Sequence, residues 1–239
     1  MSSLESISYG GAPAAAELVP RLKQKFPKAV PGTGWGMTEA SGGFTGHQAE
    51  DYELRPASCG PALPIGDMKV VNEAGKELPG GGVGELWVKG PTIVKGYWRN
   101  PEATAATFID GWLRTGDIAR IDEEGFCYIL DRAKDMLIRG GENIYCIEVE
   151  NALYEHPAVI DAAIVAIPHH SLGEEPGAVV TLKPGTKVAE DELRGFVAER
   201  LAAFKVPVKI LFSADMLPRN PAGKILKNEL KRLFVEHAH

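Results

Sequence analysis

The sequence predicts a mixed fold, α/β in its first part and α+β in its last, with a small distorted β-barrel between them. Three observations predict it. Residues 4–39 alternate strand, helix and strand; residues 55–130 break into short apolar runs separated by glycine and proline turns; and from Arg132 onward helical and extended periodicities alternate. The implied parts are 1–54, the remnant of a larger α/β domain, 55–131, the barrel subdomain, and 132–239, a compact mobile α+β domain.

In the first part, 7–11 reads as a strand, 14–26 as a helix with Leu18, Leu22 and Phe26 at helical spacing, and 30–36 as a second strand. A lone strand–helix–strand unit buries little apolar surface. It is therefore expected inside a larger parallel sheet, with ligands at the C-terminal ends of its strands. In the second part strands are expected at 66–71, 84–88, 118–121 and 126–130, with hairpin-like links at 72–76 and 122–125. The third part should hold helix 147–154, strands 159–167 and 177–182, helix 190–201 and a terminal helix after Gly223.

With 239 residues, 44% hydrophobic and 24% charged, the chain can bury one or two cores. A formal net charge of -6 excludes the broad basic footprint that binds nucleic acid or anionic lipid, so any phosphate binding must be local. Cys59, Cys127 and Cys146 fit neither a disulfide framework nor a zinc spacing. No apolar run approaches the roughly 20 residues of a membrane span and no leader pattern opens the chain, so a cytoplasmic protein is expected. His169, His170, His237 and His239 have no Asp, Glu or Cys at ligand spacing and read as solvated.

Several segments carry chemistry, each with a plainer alternative. Gly10-Gly11-Ala12-Pro13 closes a strand with minimal side chains, so its peptide groups could face a flat ring, or simply form a strand-to-helix turn. In Gly34-Trp35-Gly36-Met37-Thr38-Glu39 the glycines let backbone approach a ligand, Thr38 offers a hydroxyl and Glu39 the hard oxygens that Mg²⁺ prefers beside phosphates. The same pair suits a locally bonded loop, and Trp35 either a base-facing ring or plain core. Asp117, closing Trp112-Leu113-Arg114-Thr115-Gly116-Asp117, has two acceptor oxygens that match a ribose diol, or caps its own turn. Arg132 can donate a fork of bonds to hydroxyl or phosphate oxygens and is the expected partner of Asp117, with Asp131 as the alternative. Lys134 reads as an exposed lysine, and 139–144 as a side-chain-poor loop or a hairpin turn. In Pro218-Arg219-Asn220-Pro221-Ala222-Gly223-Lys224-Ile225-Leu226-Lys227, Lys224 is a compact cation on a long stem, suited to a phosphate or a developing anion, or the start of an ordinary basic helix.

In that order these segments resemble the motifs of the adenylate-forming superfamily, which includes acyl-CoA synthetases, aryl-CoA ligases, luciferases and the adenylation domains of peptide synthetases. The pattern is most like a fatty-acid–CoA ligase. The resemblance implies adenine contacts from Gly11, Ala12 and Pro13, beside which the Trp35 ring could lie, an α-phosphate contact and catalytic role for Thr38, and a catalytic, magnesium-binding role for Glu39. It implies ribose contacts from Asp117 and Arg132, a hinge at Lys134, a CoA tunnel at Gly140 and Gly141, and Lys224 as the cation of adenylate formation. It also places Gly36 beside the acyl pocket, where a hydrogen would leave room for a medium- or long-chain fatty acid, with an aryl acid second. The implied co-substrates are ATP, with AMP as product, and CoA; the implied partners are a carboxylic acid and no nucleic acid. The family's glycine/serine/threonine-rich phosphate loop ending in lysine is not found. The chain is therefore expected to be the C-terminal portion of a longer enzyme, inactive without the missing N-terminal portion. The alternatives are an aryl-CoA ligase, an amino-acid-adenylating branch, or a non-catalytic nucleotide-binding module.

Overall fold

A computed structural model of the chain describes residues 3–11, 16–221 and 223–236. They form two compact units, Met1–Ala133 and Lys134–His239. In the first, strands Ser6–Tyr9 and Val30–Thr33 pair in parallel, helix Leu18–Lys25 connects them, and the short strand His47–Gln48 adds antiparallel to the second. The expected strand–helix–strand unit is present, although the helix starts later than residue 14. Helix Ala49–Leu54 follows, and its Tyr52 is buried with its hydroxyl on that of Tyr9.

The rest of this unit is an open, half-barrel-like antiparallel sheet in the order Cys127–Arg132, Trp112–Ile121, Val83–Lys89, Asp67–Val71, with Phe108–Ile109 also paired to Trp112–Ile121. Leu86, Val88, Leu113, Ala119 and Cys127 pack with Ala40 and Phe44 to form its core. Strand Trp112–Ile121 is longer than the expected 118–121, and that difference matters. Its inward positions recur every second residue, Leu113, Thr115, Asp117 and Ala119, so strand alternation carries Asp117 onto the buried face. Helix Pro101–Thr107 was not expected, although its signals are in the sequence: Asn100 Oδ1 accepts from the Ala103 amide at 3.1 Å and Pro101 occupies the first turn.

In the second unit, Val159–His169 and Gly173–Leu182 form an antiparallel pair, and Lys209–Ser213 joins the latter in parallel. Helices Cys146–Tyr154 and Glu190–Ala198 cover one face through Val149, Leu153, Leu193 and Val197, against Ala162, Ile164, Val180 and Ile210. Helix Lys227–Glu236 belongs to the other face, where Leu230 packs with Ala163, Val165 and Val179. Both faces are covered, which is why 161–165 reads as a continuous apolar run after Asp161 instead of alternating. The α+β expectation holds here, with one added strand, Lys209–Ser213. Of the two readings of 139–144, the hairpin turn is the one observed, with Leu137–Arg139 against Glu142–Ile144. Gly140 and Gly141 form its two-residue turn with φ of 59° and 91°, the left-handed pair that such turns need.

Ile164 is wholly buried between sheet and helices. Ile164→Ala should cost about 2–5 kcal/mol in denaturant unfolding followed by far-ultraviolet circular dichroism. Ile160→Ala, at a position 38% exposed, should cost about 0.5 kcal/mol. Equal costs would remove this account of the core.

Candidate functional site

Asp117 is a buried carboxylate of the first unit. Between Val83–Lys89 and Trp112–Ile121 the register shifts so that Glu85 pairs with Ile118 but Trp87 with Arg114, leaving 115–117 opposite a single residue. This bulge turns on Gly116, whose φ is 70°. The Thr115 hydroxyl holds it by donating to the Leu86 carbonyl at 2.7 Å and accepting from the Asp117 amide at 3.0 Å. Glu85 holds it from outside, accepting from the Gly116 amide at 3.3 Å and from Arg114 and the Trp87 indole.

The bulge delivers the Asp117 carboxylate to two donors. Trp35 Nε1–H donates to Oδ2 at 2.8 Å, and Arg132 Nε lies 3.0 Å from Oδ1. Arg132 stands directly across the ladder from Asp117, so register alone makes it the partner. Asp117 is only 3% exposed while the Arg132 side chain is 40% exposed. Trp35 packs at the edge of the core with its N–H committed to Asp117, and its ring meets Phe44 edge-on.

Downstream of Trp35 the chain forms the short 3₁₀ turn Thr38–Ala40, with Thr38 exposed. Tyr97 donates to Glu39 Oε1 at 2.8 Å, fixing one carboxylate oxygen. Burial, and then the bond to Glu39, push the Tyr97 phenol above its ordinary value, so it stays a donor at neutral pH. Gly36 belongs to the hairpin Gly36–Met37 with Gly42–Gly43, and a Cβ there would stand 2.0 Å from the Gly42 carbonyl oxygen. Backbone, not a cavity, fills the place of its missing side chain. The hairpin by itself therefore accounts for glycine at position 36.

At the C-terminal ends of the two parallel strands lies an open cleft of ≈ 590 Å³ lined by Tyr9, Gly10, Thr33, Gly34, His47 and Gln48. Gly34 is needed there because a Cβ would meet the Thr45 carbonyl oxygen at 2.5 Å. Gly11, next to the cleft wall, has φ of 80°. Ala12 and Pro13 lie outside the described residues. His47 donates from Nε2 to the Ser58 carbonyl at 2.9 Å, and its buried Nδ1 has no partner among the described residues. Burial lowers its pKa below the ordinary value, against a smaller opposing effect of the Ser58 bond.

The second unit holds the remaining candidates. Lys224 is exposed on a tight loop closed by the bridge between Arg219 and Ile225. The Asn220 amide donates to the Lys224 carbonyl at 2.9 Å, and the Lys224 amide donates to Asn220 Oδ1 at 3.0 Å. Lys134 is exposed and is the first residue of the second unit. The Gly140–Gly141 turn is tied to the main sheet by the Gly140 amide on the Leu172 carbonyl at 2.8 Å and by Arg139 on Glu175 at 2.9 Å. His169 is not merely solvated: its Nδ1 accepts from the Leu172 amide at 3.1 Å in the adjoining turn. All three cysteines are outside any disulfide. Among the described residues no helix is long and apolar enough to cross a membrane. Reading the sequence missed Tyr97 and Glu85; the Gly96-Tyr97-Trp98 cluster was the available signal for the first, and nothing local marks the second.

Two family models match the chain: the AMP-binding enzyme over residues 1–98 and the AMP-binding enzyme C-terminal domain over residues 148–224. The fold and both matches place the chain in the adenylate-forming, AMP-binding enzyme family. It is 41% identical to a feruloyl-CoA synthase of an Amycolatopsis species, over 98% of this chain and 47% of that protein. It is 42% identical to a long-chain-fatty-acid–CoA ligase of Bacillus subtilis, over 100% of this chain and 42% of that protein. Among solved structures, it resembles the o-succinylbenzoate CoA synthetase of Bacillus subtilis in complex with its acyl-adenylate intermediate, with a TM-score of 0.85, 36% identity, and 95% of this chain and 46% of that one covered. An amide bond synthetase from Marinactinospora thermotolerans gives a TM-score of 0.89 at 34% identity, over 98% of this chain and 48% of that one. The chain spans about half the length of the curated relatives it matches.

The depressed His47 pKa sets a pH dependence. Below the ordinary histidine pKa of about 6.5 the unfolded chain takes up a proton that the folded one refuses, so the first unit loses stability as pH falls through that range. All four tryptophans lie in this unit and report it alone. Their fluorescence midpoint in denaturant should be lower at about pH 5.5 than at about pH 7.5, and His47→Gln should shrink the difference. An undiminished difference would assign it to other groups.

Proposed function

We propose that this chain acts as the C-terminal half of an ATP-dependent acid–thiol ligase. The reaction joins a carboxylate to the α-phosphate of ATP as an acyl-adenylate, with release of pyrophosphate, and the CoA thiol then takes the acyl group with release of AMP. The observation that carries this reading is the buried Asp117, aimed by its bulge and held by Trp35 and Arg132, since such a carboxylate suits a ribose diol. Adenine would lie along Gly11, Ala12, Pro13 and Trp35, Thr38 would meet the α-phosphate, and Arg132 would add a donor to the ribose side.

The difficulty of the first half-reaction is electrostatic, because a carboxylate must approach a polyphosphate in line. Lys224, exposed and carried on a tied loop, would supply positive charge where the transition state gathers negative charge. Glu39 suits magnesium: it offers hard oxygen, Tyr97 orients it, and among the described residues no three His, Cys, Asp or Glu side chains gather to hold the ion without phosphate. When bound, that ion would offset phosphate charge. For the second half-reaction we propose that the unit beginning at Lys134 turns about that residue, withdrawing Lys224 and presenting the Gly140–Gly141 turn to the pantetheine arm of CoA. Support comes from Lys134 opening a separate compact unit. The proposed parts remain 1–54, 55–131 and 132–239. The acid is proposed to have an apolar body, fatty or aryl, because relatives of near-equal identity are named for each. A cytoplasmic ligase of fatty-acid or aryl-acid metabolism is the setting this chemistry suggests.

The 239-residue chain alone should give no carboxylate-dependent ATP–pyrophosphate exchange. Robust exchange by the pure chain would overturn the half-enzyme reading. In the full-length ligase, Lys224→Ala should slow acyl-adenylate formation by about 10²–10³-fold. Its thioester formation from supplied acyl-adenylate should be unchanged, and equal loss of both steps would remove the assigned role.

A further inference from the structure

The loop that carries Lys224 is anchored by a second buried carboxylate. Asp161 is 1% exposed, at the irregular start of strand Val159–His169. The Tyr154 hydroxyl, at the end of helix Cys146–Tyr154, donates to Asp161 Oδ1 at 2.8 Å. Arg219 Nη2 lies 2.8 Å from both carboxylate oxygens. The other arm of the same guanidinium, Nη1, donates to the Gly223 carbonyl oxygen at 2.8 Å. That carbonyl belongs to the peptide group joining Gly223 to Lys224. One planar cation thus bridges a buried charge in the sheet to the backbone immediately before the proposed catalytic lysine.

Desolvated carboxylates are retained only when paired, so Asp161 holds Arg219 in place, and the rigid fork transmits that placement to Gly223. Burial, followed by the bond to Asp161, raises the Tyr154 phenol above its ordinary value, so it remains a donor to Asp161 at neutral pH. Lysine at 219 would keep a charge over Asp161 but has no second planar arm for Gly223.

We infer that Asp161 and Arg219 are positioning residues that fix the Lys224 backbone for adenylate formation, an inference that rests on the reading of Lys224 given above. Both are assigned to act through Lys224 and not on substrate. Their effect is to narrow the volume that the lysine ammonium samples, and misplacement by about 1 Å is enough to cost about a hundredfold in rate.

The test uses Arg219→Lys as the primary variant, because the Arg219 side chain is 36% exposed and the change keeps its charge. Asp161→Asn serves as the second variant. In the full-length ligase, adenylate formation should fall about tenfold to hundredfold while thioester formation from supplied acyl-adenylate stays within about twofold. In the 239-residue chain, hydrogen exchange at the Lys224 amide should accelerate in Arg219→Lys, with the thermal midpoint nearly unchanged. Wild-type adenylation in Arg219→Lys, alongside its loss in Lys224→Ala, would overturn the inference. Equal decline of both half-reactions would also overturn it, by assigning the pair to folding alone. If Lys224→Ala itself spares adenylation, the catalytic reading of Lys224 fails separately. Exchange at the Lys224 amide then decides the clamp: faster exchange in Arg219→Lys upholds it as a tether of the loop, and unchanged exchange refutes it.

Discussion

A buried carboxylate must be compensated, and the first unit is arranged around that constraint at Asp117. Strand alternation turns this residue inward among Leu113, Thr115 and Ala119, where an uncompensated charge would be costly. The bulge at 115–117 brings it to the Trp35 indole, and the ladder places Arg132 opposite. The same interactions that make the charge tolerable also fix its direction, which is what recognition of a diol requires. Structure and proposed function here draw on one set of bonds.

The second unit repeats the solution with different residues. Asp161 is buried, Arg219 and Tyr154 compensate it, and the arginine extends the constraint to a loop whose lysine points away from the core. Each unit thus holds a desolvated aspartate by paired donors, and in the second the pairing extends to the backbone just before Lys224. Glu85 and Asn220 play the corresponding local parts, Glu85 holding the bulge from the neighbouring strand and Asn220 holding the loop from within.

Much of this was legible where chemistry and chain geometry coincide locally. Glycine turns announced the positions of Gly11, Asp117, the Gly140–Gly141 hairpin and Lys224, and the alternation of periods after Arg132 gave the α+β unit. The contacts that hold these side chains in place are long-range and left no local mark. Trp35 and Asp117 are 82 residues apart, and Arg219 and Asp161 are 58 apart. Strand Lys209–Ser213 escaped because a parallel pairing has no hairpin signal and Pro207 precedes it closely. At Gly36 the local reason for glycine is also a contact that leaves no mark in the sequence, because the Gly42 backbone fills the place of its side chain.

The most direct measurement compares the binding of AMP and 2′,3′-dideoxy-AMP to the full-length ligase and to its Asp117→Asn variant by titration calorimetry. If the buried carboxylate receives the ribose diol, the native enzyme should favour AMP by about tenfold or more, since a bond to a charged acceptor contributes about 1.5–3 kcal/mol, and the variant should lose most of that preference. A native enzyme indifferent to the two nucleotides, or a variant that keeps the full preference, would contradict the account.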